Sequence, residues 1–120
     1  MDYTFACPRY ERAIDILGKR WTCLILRRLL AGPRRFSALS AEIPDLSDRM
    51  LSARLRELEA DGIVERHVSP GTPLKVEYAL TGKGHALAPV VQAIQSWADR
   101  WERDAVAHHH AVAVRRQVVR

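Results

Sequence analysis

Two arginines and two small residues recur at helical spacing in one short stretch, as Arg49, Ser52, Ala53 and Arg56. On an α-helix, which advances about 100° per residue, these four side chains share one face. Arginine can donate two hydrogen bonds to guanine or pair with a phosphate, and small side chains let a helix backbone approach base edges. The pattern therefore suits a helix that enters the major groove of DNA, although many soluble surface helices carry a similar outer face.

The helix that must position these residues is marked at both ends. Ser47 is a favourable N-cap, because its hydroxyl can accept a hydrogen bond from a free backbone N–H of the first turn. Leu46 before the cap and Leu51 after it suit a hydrophobic staple, and Gly62 suits the left-handed position that ends a helix. The opposite, apolar stripe consists of Leu51, Leu55 and Leu58. We therefore predict an amphipathic helix from Ser47 to Ala60.

A second candidate for chemistry is Cys7, which precedes Pro8 at the predicted start of a helix ending near Leu17. A thiol at a helix N-terminus, with Arg9 nearby, is expected to have a lowered pKa and more of the thiolate that oxidants and electrophiles attack. The alternative is that Cys7 only caps the helix and packs. Cys23 falls inside the next predicted helix and is interpreted as a small buried hydrophobic residue.

The composition indicates a single globular domain of 120 residues, 48% of them hydrophobic, with a net charge of +5. Segment 37–81, which contains the predicted groove helix, nevertheless holds five basic and eight acidic residues. Net charge therefore does not by itself argue for nucleic acid. The sequence shows no signal-peptide pattern and no membrane span, and two cysteines do not make a disulfide scaffold, so we expect a cytoplasmic protein.

The elements around the groove helix predict a helix-turn-helix followed by a hairpin. Ser37 is expected to cap a short helix over 38–43, and the groove helix follows after a tight turn. Two segments rich in β-branched and aromatic residues, 64–68 and 76–80, are joined by a loop at 69–75. Two short helices with a hairpin directly after them are the order of a winged helix-turn-helix.

Longer apolar helices flank this core. One begins near Lys19 and ends before Gly32, and we expect its aromatic and aliphatic side chains in the core. These are Trp21, Leu24, Ile25 and Leu29. Thr81 is expected to cap a long C-terminal helix over 82–103, bent at Pro89 because proline removes a backbone hydrogen bond.

The C-terminal helix carries more apolar surface than one small core easily covers. A second copy of the chain could bury it in a dimer, and burial within the monomer is the alternative. The residues that we assign to dimerisation are Leu87, Val91, Ile94, Trp97 and Trp101.

Other functional classes find little support. Residues 1–104 are predicted to form the domain and 105–120 a basic, flexible tail. Three consecutive histidines, His108–His110, would point in three directions on a helix and make a poor chelate, so we expect no metal site. No paired carboxylates, Ser-His-Asp set or phosphate-binding glycine loop is present, which indicates neither an enzyme nor a bound cofactor.

The elements and motifs together resemble the HxlR-like branch of the MarR-type winged-helix regulators, over roughly residues 7–101. The motifs that carry the resemblance are Cys7-Pro8, Gly18-Lys19-Arg20-Trp21, Leu24-Ile25-Leu26, Gly32-Pro33, Arg35-Phe36-Ser37, Leu39, Leu46-Ser47, Met50-Leu51, Leu55-Arg56-Glu57-Leu58-Glu59, Asp61-Gly62, Val76-Glu77-Tyr78, Leu80-Thr81 and Gly84. The resemblance implies a mainly α fold with a small β-hairpin, a winged helix-turn-helix with a long C-terminal dimerisation helix. It also implies a homodimeric, sequence-specific DNA-binding repressor. The alternative is a winged-helix protein-interaction module, which would present an apolar or acidic outer face.

The resemblance also assigns roles to particular residues. Base readout falls to Ser47, Asp48, Arg49, Ser52, Ala53 and Arg56. Contacts to the DNA backbone fall to Arg34, Arg35, Ser37 and Lys75. Cys7 lies where redox-sensing members of the family carry their reactive cysteine, so an oxidant or another small effector is an expected partner beside double-stranded DNA and a second copy of the chain.

Overall fold

The computed structural model describes residues 7–104, which form six helices and three short strands. In chain order these are α1 (Pro8–Leu17), α2 (Thr22–Leu30), β1 (Arg34–Arg35), α3 (Phe36–Glu42), α4 (Asp48–Ala60), β2 (Val64–Ser69), β3 (Lys75–Leu80), α5 (Gly82–His85) and α6 (Ala88–Trp101). The strands form one antiparallel sheet in the order β1-β3-β2. The predicted fold class is confirmed, and β1 adds a third strand to the hairpin. No helix in the described range is long and apolar enough to span a membrane.

The chain divides into two compact units at the bond between Ala88 and Pro89. The first unit contains α1 to α5 and the sheet, and the second contains α6 from Pro89 onward. The domain boundary predicted at residue 104 stays a prediction. The predicted tail, 105–120, with its His108–His110 run, lies outside the described residues.

The core of the first unit is built from aliphatic side chains of α2, α3, α4 and the sheet. Its members are Ile25, Leu26, Leu29, Leu39, Ile43, Leu46, Leu51, Leu55, Leu58, Ile63, Val64 and Leu80. Trp21, which we predicted in the core, is only half-buried and has a left-handed backbone with φ 80°. A left-handed residue cannot continue a helix, so α2 begins at Thr22 and not near Lys19. Leu24, also predicted in the core, is 46% exposed, and Leu26 takes a core position.

The ends of α4 are those predicted. The Met50 backbone N–H donates to the Ser47 hydroxyl oxygen at 3.1 Å. At the other end Gly62 has φ +73°, which glycine adopts without strain. The Ile63 N–H donates back to the Leu58 carbonyl at 2.9 Å, the six-to-one hydrogen bond of a Schellman motif.

The base of the hairpin is tied to the end of α4 through Thr81. Its hydroxyl donates to the Gly62 carbonyl at 2.6 Å and accepts from the Gly84 N–H at 3.1 Å. A Cβ at Gly84 would lie 2.3 Å from the Ile63 carbonyl oxygen, so only glycine permits this approach. The predicted capping role of Thr81 is confirmed, and the same side chain holds α4, the sheet and α5 together.

The single bent helix predicted over 82–103 is wrong. The segment forms two helices, α5 and α6, separated by a turn at Ala86 and Leu87. Pro89 has no N–H and its ring excludes the carbonyl of the residue four positions earlier. It therefore occupies the first turn of α6, where no intrahelical donor is needed, and the helix before it ends.

Candidate nucleic-acid interface

The outer face of α4 carries the central residues of the predicted base-reading set. Arg49 and Arg56 are exposed, and Ser52 and Ala53 are half-exposed between them. The leucine stripe on the opposite side is at most 2% exposed. Burial of that stripe turns two guanidinium groups and two small side chains toward one open surface. This is the arrangement that hydrogen bonding to base edges in a major groove requires.

The first turn of α4 also contacts the preceding helix. The Ser40 hydroxyl donates to the Asp48 carboxylate at 2.6 Å, while Ser47 serves as the N-cap. A carboxylate at this position is also favoured by the helix dipole. Sequence interpretation missed Ser40, because its contact crosses the turn between α3 and α4 and no helical spacing signals it.

The basic residues predicted for phosphate contact differ in their surroundings. Arg35 is exposed. The Arg34 guanidinium pairs with Glu42 at 3.3 Å and donates to the carbonyls of two neighbouring residues, so it is largely committed to the fold. Lys75 is exposed at the start of β3 and pairs with Glu77 at 3.0 Å. Of the three, Arg35 has the most accessible charge.

Ser37 does not cap α3 as predicted. The N-cap is Arg35, and α3 begins at Phe36, which makes Ser37 the second helical residue. The reason is the pairing of β1 with β3, which keeps Arg35 extended and leads the chain directly from strand into helix. Ser37 remains exposed in the first turn, where its backbone N–H lacks an intrahelical acceptor.

Arg66 is an exposed basic residue that sequence interpretation did not select. It lies in β2 directly opposite Tyr78 of β3, and Arg34 lies opposite the same Tyr78 from β1. Side chains alternate along a strand, so Arg66 shares the face of buried Val64. The alternation could be read from the sequence, and it would have placed Arg66 on the same face of β2 as Val64.

Two acidic residues near the C-terminal end of α4, Glu57 and Asp61, are paired with cations. Glu57 pairs with Lys19 at 3.2 Å and with Arg54 at 3.3 Å, and Asp61 pairs with Arg12 at 2.5 Å. Cations are also favoured beside the C-terminus of a helix. The acidity of segment 37–81 is therefore partly balanced within the fold, away from the capped start of α4.

The two thiols lie in opposite environments. Cys7 is exposed just before α1, and backbone hydrogen bonding at Tyr10 is the main cause that lowers its pKa, with Arg9 contributing. Cys23 is half-buried, and burial raises its pKa. Its Sγ lies 3.6 Å from the Leu17 carbonyl oxygen, to which the thiol can donate.

The fold and this surface define a class of protein, the winged helix-turn-helix DNA-binding proteins. The capped second helix of the motif is followed by a hairpin, in the order of that class. Within residues 7–104, no three His, Cys, Asp or Glu side chains are grouped so that they could hold a metal ion.

Comparison with known proteins gives the family. The model described as HxlR-like helix-turn-helix matches residues 16–106, and the chain belongs to this family. The HTH-type transcriptional regulator YvaP of Bacillus subtilis (strain 168) is 52% identical over 101 residues, which are 84% of this chain and 94% of that protein. The reduced transcriptional regulator YodB of B. subtilis is 49% identical with a TM-score of 0.73, and the match covers 83% of this chain and 98% of YodB. The oxidized redox regulator HypR is 39% identical with a TM-score of 0.74, covering 78% and 96%.

The protein is therefore a helix-turn-helix transcriptional regulator that binds DNA. Its family and these relatives are regulators and not enzymes. The interaction-module alternative loses its support, since the exposed face of α4 is neither apolar nor acidic.

The thiol environments lead to a prediction about reactivity. With Cys23→Ser, the remaining Cys7 should react with iodoacetamide faster than Cys23 does in the Cys7→Ser variant. Its rate should also persist to lower pH, because a lowered pKa keeps the thiolate populated until the pH falls through it. Cys23, with a raised pKa, should need a more alkaline solution. Intact-mass kinetics at several pH values measure both rates, and identical profiles for the two thiols would contradict the assignment.

Proposed function

We propose that this protein is a homodimeric repressor that reads base edges with the outer face of α4 and releases its operator when Cys7 is modified. The observation that carries the proposal is the exposed set Arg49, Ser52, Ala53 and Arg56 opposite a buried leucine stripe. Repression needs only occupancy of the operator, since a bound dimer occludes a promoter. Because a prokaryotic genome lies in the cytoplasm, we expect the protein to act there. We assign no catalytic role to any residue.

In this proposal the contacts to DNA are divided by position. Base readout belongs to Ser47, Asp48, Arg49, Ser52, Ala53 and Arg56, which follow one another along the exposed side of α4. Backbone contact belongs to Arg34, Arg35, Ser37 and Lys75, with Arg66 added from the exposed part of β2. The internal pairs of Arg34 and Lys75 favour a smaller contribution from these two than from Arg35.

The homodimer is supported by the apolar face of α6. Val90, Ile94, Trp97 and Trp101 are between 41% and 63% exposed in the single chain. An open apolar groove on the same helix is lined by Pro89, Val90, Ala93, Ile94 and Trp97. Exposed aromatic surface of this kind marks an interaction site, and a twofold dimer would place two α4 helices in successive major grooves about 34 Å apart. Val91, assigned to the interface from sequence, is only 7% exposed and can offer a partner little surface.

Control by electrophiles is supported by the environment of Cys7 and by the relatives. Solved structures of YodB include diamide-treated and quinone-bound forms, and HypR is known reduced and oxidized. In the proposed reaction with a quinone, the Cys7 thiolate adds to a ring carbon and an electron pair passes to a carbonyl oxygen. Uptake of one proton and transfer of the ring C–H proton to the other oxygen give a hydroquinone thioether.

The base-reading assignment is tested with arginine variants. Arg49→Ala or Arg56→Ala should weaken binding to a selected operator by about 1–3 kcal/mol and relax sequence preference, because a bidentate contact to a base is lost. Fragments selected from genomic DNA supply the operator, and fluorescence anisotropy measures the affinity. Arg27→Ala, at an exposed arginine of α2, is the matched control. Leu55→Ala should instead cost about 2–5 kcal/mol of folding free energy. If the arginine variants lost only folding stability, the assignment of base readout to Arg49 and Arg56 would be wrong.

The dimer is tested with a charge on the apolar face. Ile94→Asp should convert the protein to a monomer, because an aspartate would be buried without a partner in the interface. Sedimentation equilibrium measures the mass. Gln92→Asp places the same charge on the exposed opposite side of α6 and should leave the dimer intact. If the Ile94→Asp variant remained dimeric, the assignment of α6 to the dimer interface would be wrong.

The proposed response is tested by modification. Stoichiometric benzoquinone should weaken operator binding by the wild type on the order of tenfold, a typical coupling between two sites, and should leave Cys7→Ser unaffected. Intact mass confirms a single adduct, and anisotropy measures DNA affinity. An equal loss of affinity in Cys7→Ser would assign the effect to another group.

A further inference from the structure

Helix α1 packs through Ile16 and Leu17 beside Ile63 and Leu87, and polar contacts at its surface join it to the end of α4. None of its residues is buried, although Ile16 and Leu17 are half-buried. The Arg12 guanidinium lies 2.5 Å from the Asp61 carboxylate, and Lys19, just after α1, lies 3.2 Å from Glu57. Both contacts join segments that are far apart in the chain, and they tie the α1 segment to the end of α4.

Both acidic partners belong to the C-terminal end of α4. Glu57 lies in its last turn and Asp61 is its C-cap. The Asp61 backbone carbonyl also accepts from the Lys83 ammonium at 2.7 Å. Cations beside a helix C-terminus complement the helix dipole, so α1 is attached where α4 attracts positive charge.

Helix α1 begins directly after Cys7, the thiol that we propose is modified. Cys7 is the N-cap of α1, and Arg12 follows within the same ten-residue helix, which is about 15 Å long. A group added to Cys7 therefore acts on the end of a short rigid element. Displacement of α1 would therefore change the distance between the Arg12 guanidinium and the Asp61 carboxylate.

We propose that Arg12 and Asp61 are positioning residues that transmit modification of Cys7 to the recognition helix. In the unmodified protein, the ion pair holds α1 against the end of α4. An adduct on Cys7 moves α1, the pair separates, and α4 loses one of the contacts that fix its docking on DNA. This inference rests on the proposed function, in which modification of Cys7 lowers DNA affinity.

The weakness of the ion pair suits this role. The Arg12 side chain is 59% exposed and that of Asp61 is 21% exposed, so solvent screens their attraction. An adduct can therefore separate them without unfolding the core, which the leucine stripe holds. For the same reason, variants at these two positions are expected to remain folded.

The test compares DNA affinity before and after one benzoquinone adduct in each variant. The wild type is expected to lose on the order of tenfold. In Arg12→Gln and in Asp61→Asn the loss should be about two- to fivefold smaller, the range that one exposed ion pair contributes. The double variant Arg12→Glu with Asp61→Arg should recover most of the wild-type response. Glu11→Gln on α1 and Glu59→Gln on α4 are matched controls and should respond like the wild type.

The outcomes separate this inference from the proposed function. If the wild-type adduct binds DNA as well as the unmodified protein, both are overturned. If the wild type responds and the two single variants respond equally, or if the charge swap restores nothing, the inference alone fails. Thermal midpoints are measured for every variant. Should Asp61→Asn lower the midpoint, Arg12→Gln decides the result, since it changes the more exposed side chain.

Discussion

Burial of three leucines on one side of α4 fixes everything that the helix presents on its other side. Leu51, Leu55 and Leu58 are 0–2% exposed, and complete burial of a leucine contributes about 1.5–3 kcal/mol. Each exposed ion pair around α4 contributes at most about 1 kcal/mol. The apolar stripe therefore sets the rotation of the helix about its own axis. Turning α4 by one residue would bury an arginine and expose a leucine.

The two ends of α4 are held by different chemistry. At the start, the Ser47 cap and the contact from Ser40 to Asp48 fix the helix against α3. At the far end, the left-handed Gly62 turns the chain into the sheet, and Thr81 donates to the Gly62 carbonyl. The outer face of α4 is thus carried on a rigid element braced at both ends. A site that reads bases needs such support, because its contacts depend on exact placement.

Local patterns predicted α4 almost to the residue, because its caps, its stripe and its terminal glycine all point to the same helix. Part of what escaped prediction depends on contacts between distant residues. Ser37 loses its capping role because β1 pairs with β3. Trp21 leaves the core because its backbone turns left-handed before α2. The contact from Arg12 to Asp61 likewise reflects how elements meet, and no short sequence window contains that information. The break before Pro89 is local in origin, and the prediction differed because proline was expected to bend the helix and not to end it.

The distribution of charge explains how a segment that is acidic overall can face a polyanion. Glu57 and Asp61 are neutralised by Arg12, Lys19 and Arg54 at the C-terminal end of α4. Arg49 and Arg56 are exposed on the outer face, where their charges remain available for DNA. Solvent-exposed charges interact over about a Debye length, roughly 8 Å at physiological salt, so this local placement outweighs the net count. Among the described residues, Glu57 and Asp61 form their ion pairs with Arg12, Lys19 and Arg54, so the guanidinium groups of Arg49 and Arg56 stay available for DNA.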